Sequence, residues 1–297
     1  MVSCKQGLTN ETMRNKVIEK LADIYPQLCL DPDRDPIERY QAIVRRGEQP
    51  HTRDLAGYHG DPRDRIETVD TPVGSVMTVF LFDRSDFKRF VRNMMAAKKG
   101  PQEIIPKTQG AATIVAFNWP KIFAHKKAFL VEAKLQGVAE PDWSAEFKRF
   151  TADKTNYQDT LIVLSSGPYS NVTAADVGLS EEEWLEKSAV IRQYHECTHV
   201  ICRKQWPDKI DAVWDELVAD AIGIYAAYGR YDAGLEEKFL GIRDGKYTGG
   251  RLENYTDRID AEHISSILSD FAALFEQNRD TEPFDMIEVL EANWGLK

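Results

Sequence analysis

The chain has 297 residues, of which 42% are hydrophobic and 29% charged, enough apolar material to bury a substantial core in one large or two small domains. Its formal net charge of −10 would repel a phosphate backbone, and no basic cluster interleaved with aromatics offsets it locally, so nucleic acid is not expected as a partner. The opening residues lack the basic-then-apolar pattern of a secretory signal, and no run reaches the ~20 apolar residues of a spanning helix, so a cytoplasmic chain with no membrane partner is expected.

Asn10 is placed to cap a helix whose apolar positions Met13, Val17, Leu21 and Ile24 keep helical spacing, and Asp35 with Pro36 opens a second helix through Arg46. Residues 47–72 are rich in Gly, Pro, Asp and Arg without periodicity and read as a long loop that carries His51 and His59. Three stretches rich in β-branched and aromatic residues then predict strands at 74–82, 111–119 and 159–166. Helical patterns alternate with them, "RSDFKRFVRNMMAA" after the first and "PKIFAHKKAFLVEAKL" after the second, the latter with some extended character.

From Ser180 the pattern is almost wholly helical, opening on the capping box Ser180–Glu183, with Pro207 and Gly229 as punctuation. The expected architecture is α+β: an N-terminal lobe with a small mixed sheet over residues 1–179, and a helical lobe over 180–297, forming one compact unit with a cleft between the lobes. Cys4, Cys29, Cys197 and Cys202 are too far apart for a CxxC zinc motif and too few for a disulfide framework, so free thiols are expected. His51, His59 and His125 are expected at solvated surface positions.

The chemistry concentrates in "VIRQYHECTHVICRKQWPDKIDAVWDELVADAIG". His195 and His199 are four apart on a helix, so both imidazoles leave one face about a turn apart, the spacing that lets two ring nitrogens reach one Zn²⁺. Glu196 stands beside them, able to hold a water without displacing it. A catalytic zinc has three protein ligands and an open position. The next helix carries an apolar stripe (Ile210, Val213, Trp214, Leu217, Ala221, Ile224, Tyr228) and, next to it, a stripe of small residues interrupted by two acids, Glu216 and Asp220. Two unpaired carboxylates in so tight a seam would cost several kcal/mol, whereas a cation and a histidine N–H satisfy both. Glu216 is therefore assigned as third ligand, and Asp220 as the acceptor that orients a ligand histidine.

HExxH at 195–199 followed by ExxxD at 216–220 resembles the gluzincin metallopeptidases, the class that includes thermolysin and the zinc aminopeptidases. The resemblance covers about thirty residues and implies a zincin-like fold with zinc on His195, His199 and Glu216. It further implies Glu196 as catalytic general base and acid, Asp220 bonded to His195, and a peptide or protein substrate. Members commonly add a Tyr, His or Arg from the C-terminal lobe to stabilise the oxyanion, which makes His263, Tyr255 and Arg251 the candidates, with Tyr247 behind them. The strand at 159–166 is expected to line the cleft and pair with an extended substrate. The alternatives are a zinc-binding regulatory or interaction protein with a structural or vestigial HExxH, and a hydrolase of non-peptide amides.

Overall fold

The computed structural model describes residues 16–107, 109–209 and 211–293. Asn10, Met13, Cys4 and Ile210, singled out above, lie outside them. Helices α1 (Lys16–Ala22), α2 (Ile37–Arg46) and α3 (Arg84–Lys99) bracket strands β1 (Arg65–Val69) and β2 (Val76–Leu81). Strand β3 (Ala111–Phe117) leads to α4 (Trp119–Leu135) and α5 (Trp143–Phe150), then to β4 (Gln158–Ser165). After the short α6 (Ala174–Val177) come α7 (Glu181–Gln205), α8 (Ala212–Tyr228), α9 (Ala233–Leu240), the small strands β5 (Ile242–Arg243) and β6 (Lys246–Tyr247), α10 (Ala261–Gln277) and α11 (Met286–Ala292). The protein is α+β, as its pattern of elements predicts. Among the described residues no helix is long and apolar enough to cross a membrane.

The sheet order is β1–β2–β4–β3. Ser165 N–H donates to Gly110 O at 2.8 Å while Asn118 N–H donates to Tyr157 O at 2.8 Å, so β3 and β4 run antiparallel. Two expectations are corrected here. The loop at 47–72 is not structureless, since its end forms edge strand β1, whose RIETV was hidden by the polar residues around it. Strand β4 has neighbours on both sides and cannot accept another strand; the edges are β1 and β3.

By contact the chain groups into two units, Met1–Ile66 with Phe80–Ile105 and Ile114–Leu161, and Glu67–Val79 with Pro106–Thr113 and Ile162–Lys297. In the first, α2 packs on α3 through Tyr40, Ile43, Ala96 and Ala97. The fully buried Asn93 ties this core together, accepting from Tyr40 Oη at 2.8 Å and donating to Leu28 O, Leu30 O and Tyr58 Oη. Helix α4 is helical throughout but buries only Ile122 and Ala133. His125 is not a solvated side chain: it stacks on Phe150 at 4.0 Å between centroids, with Nε2 2.5 Å from Glu146. His51 and His59 are exposed as expected.

The second unit is built on α7 against α8. Ser180 and Glu183 form the capping box read from the sequence, and Asp211 caps α8 through Trp214 N–H. Small residues do let these helices meet closely, since a Cβ on Gly223 would lie 2.7 Å from Ile191 O. The other side of α8 joins a core of Trp214, Leu217, Ile222, Leu268, Phe271 and Ile287, closed by α10 and α11. Cys29, Cys197 and Cys202 are free and buried.

Candidate metal centre

Every residue of the site belongs to the second unit. The straight course of α7 puts His195 and His199 on one face, with Nε2 atoms 3.0 Å apart. The crossing of α8 brings Glu216 to them: Oε2 lies 3.6 Å from His195 Nε2 and Oε1 lies 3.4 Å from His199 Nε2. Four-coordinate zinc with bonds of ~2.0–2.1 Å requires ligand atoms roughly 3.3 Å apart, so these separations match.

The chemistry of the donors agrees with the spacing. His195 Nδ1 is 2.9 Å from Asp220 Oδ1, and His199 Nδ1 is 2.8 Å from Asp215 Oδ2 in a bent ion pair. A proton on each Nδ1 leaves both Nε2 lone pairs facing one another, an arrangement that a cation or a proton between them relieves. Glu216 Oε2 is buried without a hydrogen-bond partner. Burial alone would push the Glu216 carboxyl up, but the two histidines and Arg251 outweigh it and hold it at about 2, so it stays an anion. Burial would likewise lower His199, yet Asp215 and Glu216 hold it at about 10. Two imidazoles and one carboxylate, an oxygen of which has no hydrogen-bond partner, converge within 4.8 Å and fit a divalent cation.

Glu196 projects beside the pair, partly exposed, and its Oε2 accepts from Thr113 Oγ1 at 2.7 Å. Asp220 is fully buried. It accepts from His195 and, at 2.7 Å, from Tyr169 Oη on Oδ1, and from the Arg251 guanidinium on Oδ2. Arg251 also donates to Tyr169 Oη at 2.9 Å. It reaches this position because Gly250 packs against Gly241 so closely that a Cβ would fall 2.7 Å from Gly241 Cα. Arg192 fastens the near wall by donating to the carbonyls of Ser165 and Gly167 at 3.1 and 3.2 Å. The loop it holds continues into Ser170 and Asn171, both left-handed at φ 52° and 58°.

The site opens on a cleft of 390 Å³ lined by residues 111–113, Tyr169, His195, Glu196, His199, Arg203, Glu216, Arg251 and Tyr255 among others. The structure therefore brings together His195, Glu196, His199, Glu216, Asp220, Arg251 and Tyr255. It does not bring His263, which is exposed on the first turn of α10 with its N–H donated to the cap Asp260. Helical spacing placed His263 near a helix start but could not say which way that helix faces. Tyr247 spends its hydroxyl on Gly250 O and Glu253.

Four participants escaped the sequence reading: Tyr169, Asp215, Thr113 and Arg192. Asp215 was accessible, because the reasoning that pairs one ligand histidine with an acid demands a second acid for the other, and Asp215 adjoins Glu216. Thr113 and Tyr169 come from a strand and a loop distant in sequence, and Arg192, one turn before His195 on α7, gave no sign that its side chain would turn back to the carbonyls of the cleft wall. His59, Asp83 and Asp86 also cluster, but Asp83 caps α3 and Asp86 accepts the backbone N–H groups of His59 and Gly60, which accounts for them.

An α+β protein with a two-histidine, one-carboxylate centre is thus the class that fold and site define. A family model described as "Family of unknown function (DUF7005)" matches residues 4–279, and the chain belongs to that family. No curated protein and no solved structure matches it.

Proposed function

We propose that this chain is a zinc-dependent peptidase with a zincin-like core of gluzincin type. The observation that carries the reading is the convergence of His195 Nε2, His199 Nε2 and Glu216 at metal-ligand separations with a partly exposed carboxylate, Glu196, on the same helical turn and opening on one cleft. Zinc in such a set supplies Lewis acidity towards a carbonyl and acidifies a water towards a pKa of ~7.

The chain's own groups supply the rest. Thr113 Oγ1 holds one oxygen of Glu196, leaving the other to take a proton from the attacking water and return it to the departing nitrogen. Asp220 accepts from His195 Nδ1, and the Asp215 carboxylate 2.8 Å from His199 Nδ1 favours a proton there electrostatically, which leaves both Nε2 atoms to face the ion. Tyr255 lines the cleft with its hydroxyl close to the Glu216 carboxylate, and it is the candidate for stabilising negative charge on the substrate oxygen. The unpaired side of edge strand β3, whose first residues line the cleft, offers main-chain groups to an extended peptide. A cytoplasmic location belongs to the same proposal.

Elemental analysis of purified protein, followed by digestion of a peptide library with wild type and Glu196→Gln, tests the reading. One zinc per chain in both is expected, with cleavage by wild type falling about 10²–10⁴-fold or more in the variant. A zinc-loaded wild type that cleaves nothing, or a variant as active as wild type, would remove the peptidase assignment.

A further inference from the structure

Three arginines line the cleft, and two are committed. Arg192 is buried and donates to wall carbonyls, while Arg251 is bound to Asp220 and Tyr169. The third, Arg203, is exposed at the cleft and has no hydrogen bond or ion pair among the described residues. It lies four residues after His199 and seven after Glu196, hence on the same face of α7, about 6 Å along the axis from the first and about 10 Å from the second. The only carboxylates in the lining are Glu196 and Glu216, and the histidines and Arg251 already neutralise the latter. Arg203 stands in the last turn of α7, where the helix C-terminus favours a cation, but among the described residues no carboxylate of the cleft pairs with it, and its guanidinium stays open to solvent.

We propose that Arg203 is the anion-recognising residue of this cleft and that the substrate carries a free carboxylate within about two residues of the amide to be cleaved. A guanidinium reads a carboxylate through two parallel N–H bonds, and its stem of several carbons spans the distance from its own turn of α7 back towards Glu196. The most general source of such a group is the C-terminal carboxylate of a peptide, which would make the reaction a trimming of chain ends; an internal Asp or Glu side chain offers the same chemistry. This assignment rests on the peptidase reading for its reaction and not for its binding.

The test measures binding apart from turnover. Titration calorimetry on the full-length wild-type protein, kept in chelator so that no peptide is cleaved, would compare three N-acetylated tripeptides of one sequence: the free acid, the C-terminal amide, and the amide with Glu in place of its last residue. Charge-assisted hydrogen bonds of this kind correspond to about 10- to 100-fold in affinity. The free acid is expected to bind at least 10-fold tighter than the plain amide, and Arg203→Ala to abolish that difference while leaving the amide's affinity unchanged. Arg203→Lys should restore part of it. If the Glu-bearing amide matches the free acid, a side-chain carboxylate serves as well as the terminus; if it matches the plain amide, only the chain terminus is read. Equal binding of acid and amide by wild type, no binding of any peptide, or an acid preference that survives in Arg203→Ala overturns the proposal. Binding with the expected preference but without cleavage by the zinc-loaded wild type would leave the recognition role standing and remove hydrolysis instead. Circular dichroism of the variants, altered at an exposed position, checks that the fold is kept.

Discussion

Asp220→Ala is the substitution whose consequence the geometry specifies most fully. The carboxylate has no exposed surface and serves three donors: His195 Nδ1, Tyr169 Oη and the Arg251 guanidinium. Truncation leaves a cation that is only 18% exposed, with Glu216 at 3.8 Å as its remaining acidic neighbour, and strips the acceptor that fixes a ligand imidazole. Removing one partner of such a pair costs about 3–5 kcal/mol, because the other charge stays buried. For a chain of this size that lowers the melting temperature by roughly 6 °C or more. The measurement is thermal unfolding in chelator, so that loss of the ion does not contribute, compared with Arg251→Met and with the double variant. The pair reasoning requires that the double variant be clearly more stable than additivity of the single losses allows. Zinc affinity, measured separately by chelator competition, should fall about 10- to 100-fold. A chelator-treated Asp220→Ala within about 1 kcal/mol of wild type, or strict additivity in the double variant, would refute the argument.

Asp215→Ala removes the acid beside His199 and should weaken zinc about 10- to 100-fold without reaching the cost of Asp220→Ala, since Asp215 is partly exposed; an unchanged affinity in chelator competition would remove its orienting role. In chelated protein, His199 is held at about 10 against ~6.5 for an unfolded histidine, so its contribution to stability is complete below ~6.5 and is lost as pH rises through about 10. Denaturant midpoints should therefore fall between pH 7 and 10, and zinc binding should release protons, detected as a dependence of binding heat on buffer ionisation enthalpy. Gly223→Ala forces a Cβ to within 2.7 Å of Ile191 O and should destabilise the α7–α8 pair by about 1–3 kcal/mol, with a wild-type melting temperature counting against the close approach.

Much of the centre was legible because helices write their geometry into short spacings. His195, Glu196 and His199 are set by one helix period, and the small-residue stripe holding Glu216 and Asp220 announced a seam that Gly223 and Ile191 realise. Strand β1 was missed because five residues of mixed polarity at a sheet edge differ little from a polar loop. Choosing β4 over β3 as the substrate edge failed for a related reason: residue pattern identifies a strand but not its neighbours.

By itself, then, the sequence determined most of the longer helices, though not α5, the three longer strands, and the imidazoles and carboxylate of the candidate centre, all consequences of local backbone period and side-chain chemistry. Only tertiary structure decided that Thr113 meets Glu196, that Tyr169 and Arg251 share Asp220, that His263 stands exposed outside the cleft and that Arg203 opens on it. Those facts depend on the direction in which packed elements approach one another, and the packing of a whole core sets that direction where no single stretch of chain can encode it.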